Sequence, residues 1–155
     1  MSFHQKWLEQ VATFKNQLGP NLQLPPPSLE ELKMEYLEMI PNTKLVAKLP
    51  FQKRFTNPVK LYQGGFLSAG IDEVFGPLSY TTAGRPCMTL SMNLTYLKAF
   101  TEEMNYCVIE ATVLQKTKSF IFMRAEVKSP SNELMAHAES HVAILRDDQL
   151  EKVKA

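Results

Sequence analysis

The sequence predicts an α+β domain in which one antiparallel sheet wraps a single long central helix. Two patterns predict it. Between Gly64 and Leu78, apolar side chains recur at Leu67, Ile71, Val74, Phe75 and Leu78, the i, i+4, i+7, i+8, i+11 spacing of one helix face. On either side the period drops to 2, once before that stretch and four times after it. Clean alternation marks antiparallel strands with one covered face, and the order strand, long helix, four strands gives a sheet packed on a helix.

Composition narrows the function classes. The 155 residues read as one domain, large enough to bury a core without staples. Seventeen basic and 16 acidic side chains leave a net charge of +1, which argues for neither a nucleic acid nor a membrane surface as partner. No apolar run reaches membrane-spanning length, and the opening Met-Ser-Phe-His-Gln-Lys is unlike a secretion signal. A cytoplasmic protein is expected. Cys87 and Cys107 fall inside apparent strands without ligand or redox spacing, so they read as buried free thiols.

Taken in order, Phe3, Trp7, Leu8, Val11, Phe14 and Leu18 predict an amphipathic helix stopped by Gly19-Pro20. Pro25-Pro26-Pro27 is an extended spacer. Ser28 and Glu31 have capping-box spacing for a second helix, with Leu29, Leu32, Tyr36 and Ile40 on its face and Pro41 at its end. Residues 1–42 are therefore expected to be an N-terminal helical arm, 43–146 the main domain and 147–155 a polar tail.

In the main domain, Leu45, Ala47, Leu49 and Phe51 alternate with Lys44, Val46, Lys48 and Gln52 as a half-buried strand. A loop over 53–63 leads to the central helix, which should end near Thr82-Ala83-Gly84 and kink at Gly76-Pro77. Met88, Leu90, Met92, Leu94 and Tyr96 give the next strand an apolar face, opposite Thr89, Ser91, Asn93 and Thr95. Cys107, Ile109, Ala111 and Val113 mark the inner face of another, and Ile121, Met123, Ala125 and Val127 that of the next. The last strand runs roughly from Glu133 to Leu145.

Asp72 stands out on the central helix, because ionised carboxylates avoid apolar surroundings unless partnered. Ser68, Asp72, Gly76 and Ser79 form a row of small or polar residues that leaves room for a ligand beside this acid. A plain solvated helix edge gives Asp72-Glu73 equally well, so the helix pattern alone does not make a site.

The glycine pair Gly64-Gly65, Asp72 nine positions after Gln63, the segment Met92-Asn93-Leu94-Thr95-Tyr96-Leu97 and the closing Ala136-His137-Ala138-Glu139 together resemble the hotdog-fold acyl-CoA thioesterases of the phenylacetate-pathway type, over about residues 43–145. The resemblance implies a hotdog fold, an acyl-CoA substrate, no metal or cofactor, and a homodimer or a dimer of dimers. It implies Asp72 as the catalytic acid, with Asn57, fifteen residues earlier, and Thr89 as the amide and hydroxyl that hold the water or orient the carboxylate. Where the family carries His-Gly-Gly this chain has Gln63-Gly64-Gly65; Gln hydrogen-bonds but does not titrate.

The chemistry fits those residue types. A helix N-terminal N–H has no intrahelical partner and carries partial positive charge, so Gly65 can polarise a thioester carbonyl, most strongly as the oxyanion develops. Asp72 would then activate water or attack the carbonyl itself. Gln63, Gly64 and Ser68, near that helix end, are candidate substrate contacts, as are Lys116 and Lys118 for coenzyme A phosphates. Glu73, about 100° around the helix, is expected to face solvent or a subunit contact. His137, Glu139 and His141 share one strand face, but a polar exposed face gives that pattern without zinc and no fourth ligand is visible. The rival reading is a catalytically silent hotdog module that binds acyl-CoA or a lipid. A dehydratase would need an Asp–His pair near the helix.

Overall fold

The computed structural model describes residues 1–9 and 23–154. The expected helix positions Val11, Phe14 and Leu18, with the Gly19-Pro20 stop, lie outside the described residues. Residues 3–9 form helix α1, followed by α2 (Pro27–Leu32), β1 (Glu35–Ile40), β2 (Lys44–Pro50) and the long α3 (Gly64–Ala83). Then come β3 (Cys87–Tyr96), β4 (Tyr106–Lys116), β5 (Phe120–Lys128), β6 (Leu134–Ile144) and α4 (Asp147–Lys154). One six-stranded sheet has the order β1-β2-β4-β5-β6-β3, and every pairing is antiparallel. Its concave face holds α3, whose Ile71, Val74, Phe75 and Leu78 are fully buried with Leu45, Leu49, Ile109, Ile121 and Val127. The α+β architecture expected from the two periodicities is the one observed.

The second N-terminal helix is shorter than its spacing suggests. Lys33 adopts a left-handed conformation (φ 52°) and ends α2, with the Met34 N–H returning to the Leu29 carbonyl, a Schellman closure without glycine. Beyond it the chain pairs with β2, burying Met34 and Tyr36 while Glu35 and Glu38 meet Lys48 and Lys44 at 3.1 and 3.0 Å. Residues 35–40 thus belong to the sheet and not to the arm, and Pro41-Asn42 turns the β1–β2 hairpin. Leu29 and Leu32 are the buried face of α2 as expected, whereas Tyr36 and Ile40 continue its spacing by coincidence; strand pairing decided those two. The expected capping box is absent too, because Pro26 occupies the N-cap and no side chain caps there. The polar tail carries a helix, α4, with Asp147 paired to Arg85.

Pro77 sits inside α3, and the helix continues through it. Proline has no N–H to give to the carbonyl four residues back, which here is Glu73. The Tyr36 hydroxyl fills that place, donating to the Glu73 carbonyl oxygen at 3.1 Å from a ring only 1% exposed. Tyr36 also donates its backbone N–H to His4 Nδ1 at 3.1 Å and packs edge-on against Trp7. One residue therefore joins α1, the edge strand β1 and the interrupted turn of α3.

This predicts a specific coupling. Tyr36→Phe should lower unfolding free energy by about 1–2 kcal/mol, since it strands a buried carbonyl. In a Pro77→Ala background, where the helix supplies its own donor, the same change should cost measurably less. Urea unfolding of the four proteins reads the difference; equal costs in both backgrounds contradict the assignment.

Candidate functional site

The N-terminus of α3 is built by packing of the loop before it. Thr56 and Tyr62 bridge that loop, the Gln63 N–H donates to the Phe55 carbonyl at 2.8 Å, and Phe55 stacks on Phe66 with ring centroids 4.2 Å apart. Gln63 is the N-cap, its Oε1 accepting from the Phe66 N–H at 3.2 Å. At the two glycines neighbouring side chains approach the backbone closely. A Cβ on Gly65 would lie 2.9 Å from the folded-back Gln63 amide, and one on Gly64 would lie 3.1 Å from the Tyr96 ring. Tyr96 Oη donates to the Gly64 carbonyl at 2.8 Å. Among the described residues the Gly65 N–H has no acceptor, and Gly65 is exposed. It is free to receive a carbonyl oxygen.

Asn57 lies in the same loop, where its Oδ1 accepts the Val59 and Leu61 N–H groups at 3.1 and 3.0 Å. Among the described residues its amide NH2 has no acceptor. Asn57 and Gly65 thus stand at one end of the helix.

Asp72 stands two turns further along, about 10 Å down the axis from Gly65. It is half-buried, and the Thr89 hydroxyl donates to its Oδ1 at 3.1 Å. This contact depends on a bulge that the alternation in β3 conceals. Thr89 pairs with Val142 and Ser91 with His141, leaving Leu90 as the extra residue. Directly opposed residues share a sheet face. Thr89 thus joins Cys87 on the α3 side before the bulge, and Met92, Leu94 and Tyr96 take that side after it. The expected uniform apolar face is therefore corrected: Met88, Leu90 and Tyr96 are 51%, 46% and 50% exposed, because β3 is an edge strand.

A cavity of about 340 Å³ opens beside Asp72 and Thr89 and runs along Gly76, Pro77, Ser79 and Tyr80. Trp7, Leu8, Leu24, Pro25, Pro26 and Leu29 cover it from the arm. The small-residue row thus leads into open space at Asp72, Gly76 and Ser79, whereas Ser68 lies outside the lining. Glu73 also lines this cavity, which sequence reasoning missed. It faces the arm, not solvent, with the Ser28 hydroxyl donating to its Oε1. The Ser28–Glu31 spacing pointed to a local cap; the partner is 45 residues away, and no local pattern signals that.

Burial pushes the Glu73 carboxyl above its ordinary value, the Ser28 hydroxyl opposes this and the Asp72 charge adds to it. Tyr80 is pushed up by burial first, then by Cys87 and by the Asp72 and Glu73 carboxylates. Of the remaining candidates, Lys116 donates to the Thr82 carbonyl at 2.7 Å and so closes the C-terminal turn of α3, while Lys118 is exposed at the β4–β5 turn. His141 is engaged by Ser91 at 2.7 Å and stacks on Phe122.

Because folding raises the Glu73 pKa, its ionised form weakens the fold. That burden is absent below the ordinary value of 4.5 and complete once pH exceeds the raised folded value. Glu73→Gln should gain stability over wild type progressively through that window. Urea unfolding at stepped pH checks this, and an offset independent of pH contradicts it.

No protein-family model matches this chain, and no curated protein matches it. Solved structures do. The PaaI protein of the E. coli phenylacetic acid degradation operon superposes with a TM-score of 0.75 at 13% identity, over 92% of this chain and 95% of that one. A phenylacetic acid degradation-related putative thioesterase from Ralstonia eutropha JMP134 gives 0.72 at 22% identity, over 84% and 98%. A mutant thioesterase from Staphylococcus aureus gives 0.72 at 17%, over 78% and 100%. At these identities the likeness establishes the fold and no more, and that fold is the hotdog: six antiparallel strands around one long helix.

Proposed function

We propose that this protein is an acyl-CoA thioesterase, releasing a free acid and coenzyme A. One observation carries the reading. A half-buried carboxylate, Asp72, oriented by Thr89, opens onto a largely apolar cavity in a fold whose α3 N-terminus offers an unpartnered N–H at Gly65. The thioester carbonyl oxygen would accept from Gly65, whose partial positive charge stabilises the oxyanion as it forms. Asp72 takes a proton from water as the water oxygen bonds to the carbonyl carbon, or attacks that carbon itself to give an anhydride that water then opens. In either route the C–S bond breaks and the thiolate leaves as coenzyme A after protonation. Asn57, through its free amide hydrogens, would hold the attacking water. Gln63, already used as the helix cap, would fix the loop that presents Gly65.

The site is shared between two chains of a homodimer in this reading. Base and oxyanion donor must reach nearly the same atom, yet Gly65 and Asp72 are about 10 Å apart along one helix. The edge strand β3, with Met88 and Leu90 exposed beside Thr89, supplies an unpaired surface on which a second copy can pair. Antiparallel α3 helices would then set Gly65 and Asn57 of each chain against Asp72 and Thr89 of the other. A silent acyl-CoA-binding module is the rival, favoured by a non-titrating Gln63 in the cap.

Asp72→Asn keeps shape and removes the base, so kcat for acyl-CoA hydrolysis should fall by about two orders of magnitude or more. Glu73→Gln should lose far less, and the reverse order would move the chemistry to Glu73. Equal turnover in wild type and Asp72→Asn would favour the silent module. For the shared site, Asn57→Ala and Asp72→Ala are unfolded together and refolded. About half the dimers are then mixed, each with one intact site, so activity should return to about a quarter of wild type. No recovery from a mixture shown to contain mixed dimers rules out a site built across two chains.

A further inference from the structure

The cavity beside Asp72 is larger than a carbonyl requires, and its wall includes one position without a side chain, Gly76. Gly76 lies one turn beyond Asp72, about 6 Å along the axis on the same helix face. Among the described residues a Cβ built there meets no atom within 4 Å, in a helix whose opposite face is fully buried. Glycine inside a helix costs about 0.5–1 kcal/mol relative to alanine, and protein interiors rarely leave such space empty. Here the space is continuous with the acid at one side and is roofed by Trp7, Leu24 and Leu29.

We infer that this cavity is the acyl pocket, that it takes an acyl group of medium size, and that Gly76 sets its depth. The inference rests on the thioesterase reading and adds the substrate class. Taking ~30 Å³ for each water-sized group, 340 Å³ holds about ten non-hydrogen atoms, an acyl group of about eight to ten carbons. The apolar arm supplies the methylene contacts. The polar end, Asp72 with Thr89, is where the thioester carbon would lie. Trp7 is the only tryptophan in the sequence, so its emission reports on this wall whether or not hydrolysis occurs.

The test combines two readouts. In hydrolysis of straight-chain acyl-CoAs from two to sixteen carbons, kcat/KM should rise about fourfold per added methylene to an optimum near eight to ten carbons. Gly76→Leu fills the space and should shift the optimum to shorter chains. Because Gly76 precedes a proline, where a larger residue strains helical backbone, Leu24→Ala provides the opposite change: it deepens the pocket from the arm side and should shift the optimum to longer chains. Trp7 fluorescence is titrated with S-alkyl-coenzyme A thioethers, which cannot be hydrolysed. It should respond saturably to octyl and decyl compounds and not to methyl. Hydrolysis with no chain-length preference, optima that stay put in both variants, or a Trp7 signal blind to chain length overturns the acyl pocket and leaves the thioesterase reading standing. A chain-length-dependent Trp7 response without turnover of any acyl-CoA does the reverse. Silence in both readouts overturns both.

Discussion

The structure depends on a hydrogen bond that a proline makes necessary. Pro77 removes one donor from the middle of the central helix, and the carbonyl it strands is that of Glu73, next to the candidate catalytic acid. Tyr36 supplies the missing proton from a fully buried ring. A buried carbonyl left unpaired costs on the order of 1–3 kcal/mol, so this contact holds β1 to α3 at one height. Trp7 and His4 pack on the same tyrosine, and the arm is set against the helix by that packing. The cavity under the arm is the space left over once Tyr36, Pro77 and the open position at Gly76 have taken their places.

A second constraint acts from the other side of the helix. The sheet ends at β3, and the bulge at Leu90 changes which side chains of that strand face α3. Without it, Thr89 and Tyr96 would lie on opposite faces, since seven residues separate them and a strand alternates. With it, Thr89 reaches Asp72 while Tyr96 reaches the Gly64 carbonyl. The same strand therefore touches both the N-terminus of α3, at Gly64, and its middle, at Asp72. It also leaves Met88, Leu90 and Tyr96 exposed along the sheet edge.

The two adjacent acids of α3 illustrate how environment divides similar groups. Asp72 and Glu73 differ by one position, so they point about 100° apart. Asp72 turns to the edge strand and accepts a hydrogen bond from the Thr89 hydroxyl. Glu73 turns to the arm, is bound by Ser28, and is held above its ordinary pKa by burial. The reading that assigns chemistry to Asp72 rests on its neighbours, with the open cavity and the sheet edge both within reach.

Whatever depends on periodicity along the chain was legible in the sequence by itself. The Leu67–Leu78 stripe placed α3, and period-2 runs placed β2 and the four later strands. What depends on distant partners was not. Tyr36 fits a helix face as well as a strand, and only pairing with β2 decides between them. Ser28 carries a capping pattern, and only the folded arm brings Glu73 to it. The bulge in β3 is invisible because Leu90 continues the apolar alternation, and its position is set by pairing with β6. Tertiary structure decided these because each is a choice between locally equivalent states, settled by contacts between residues tens of positions apart.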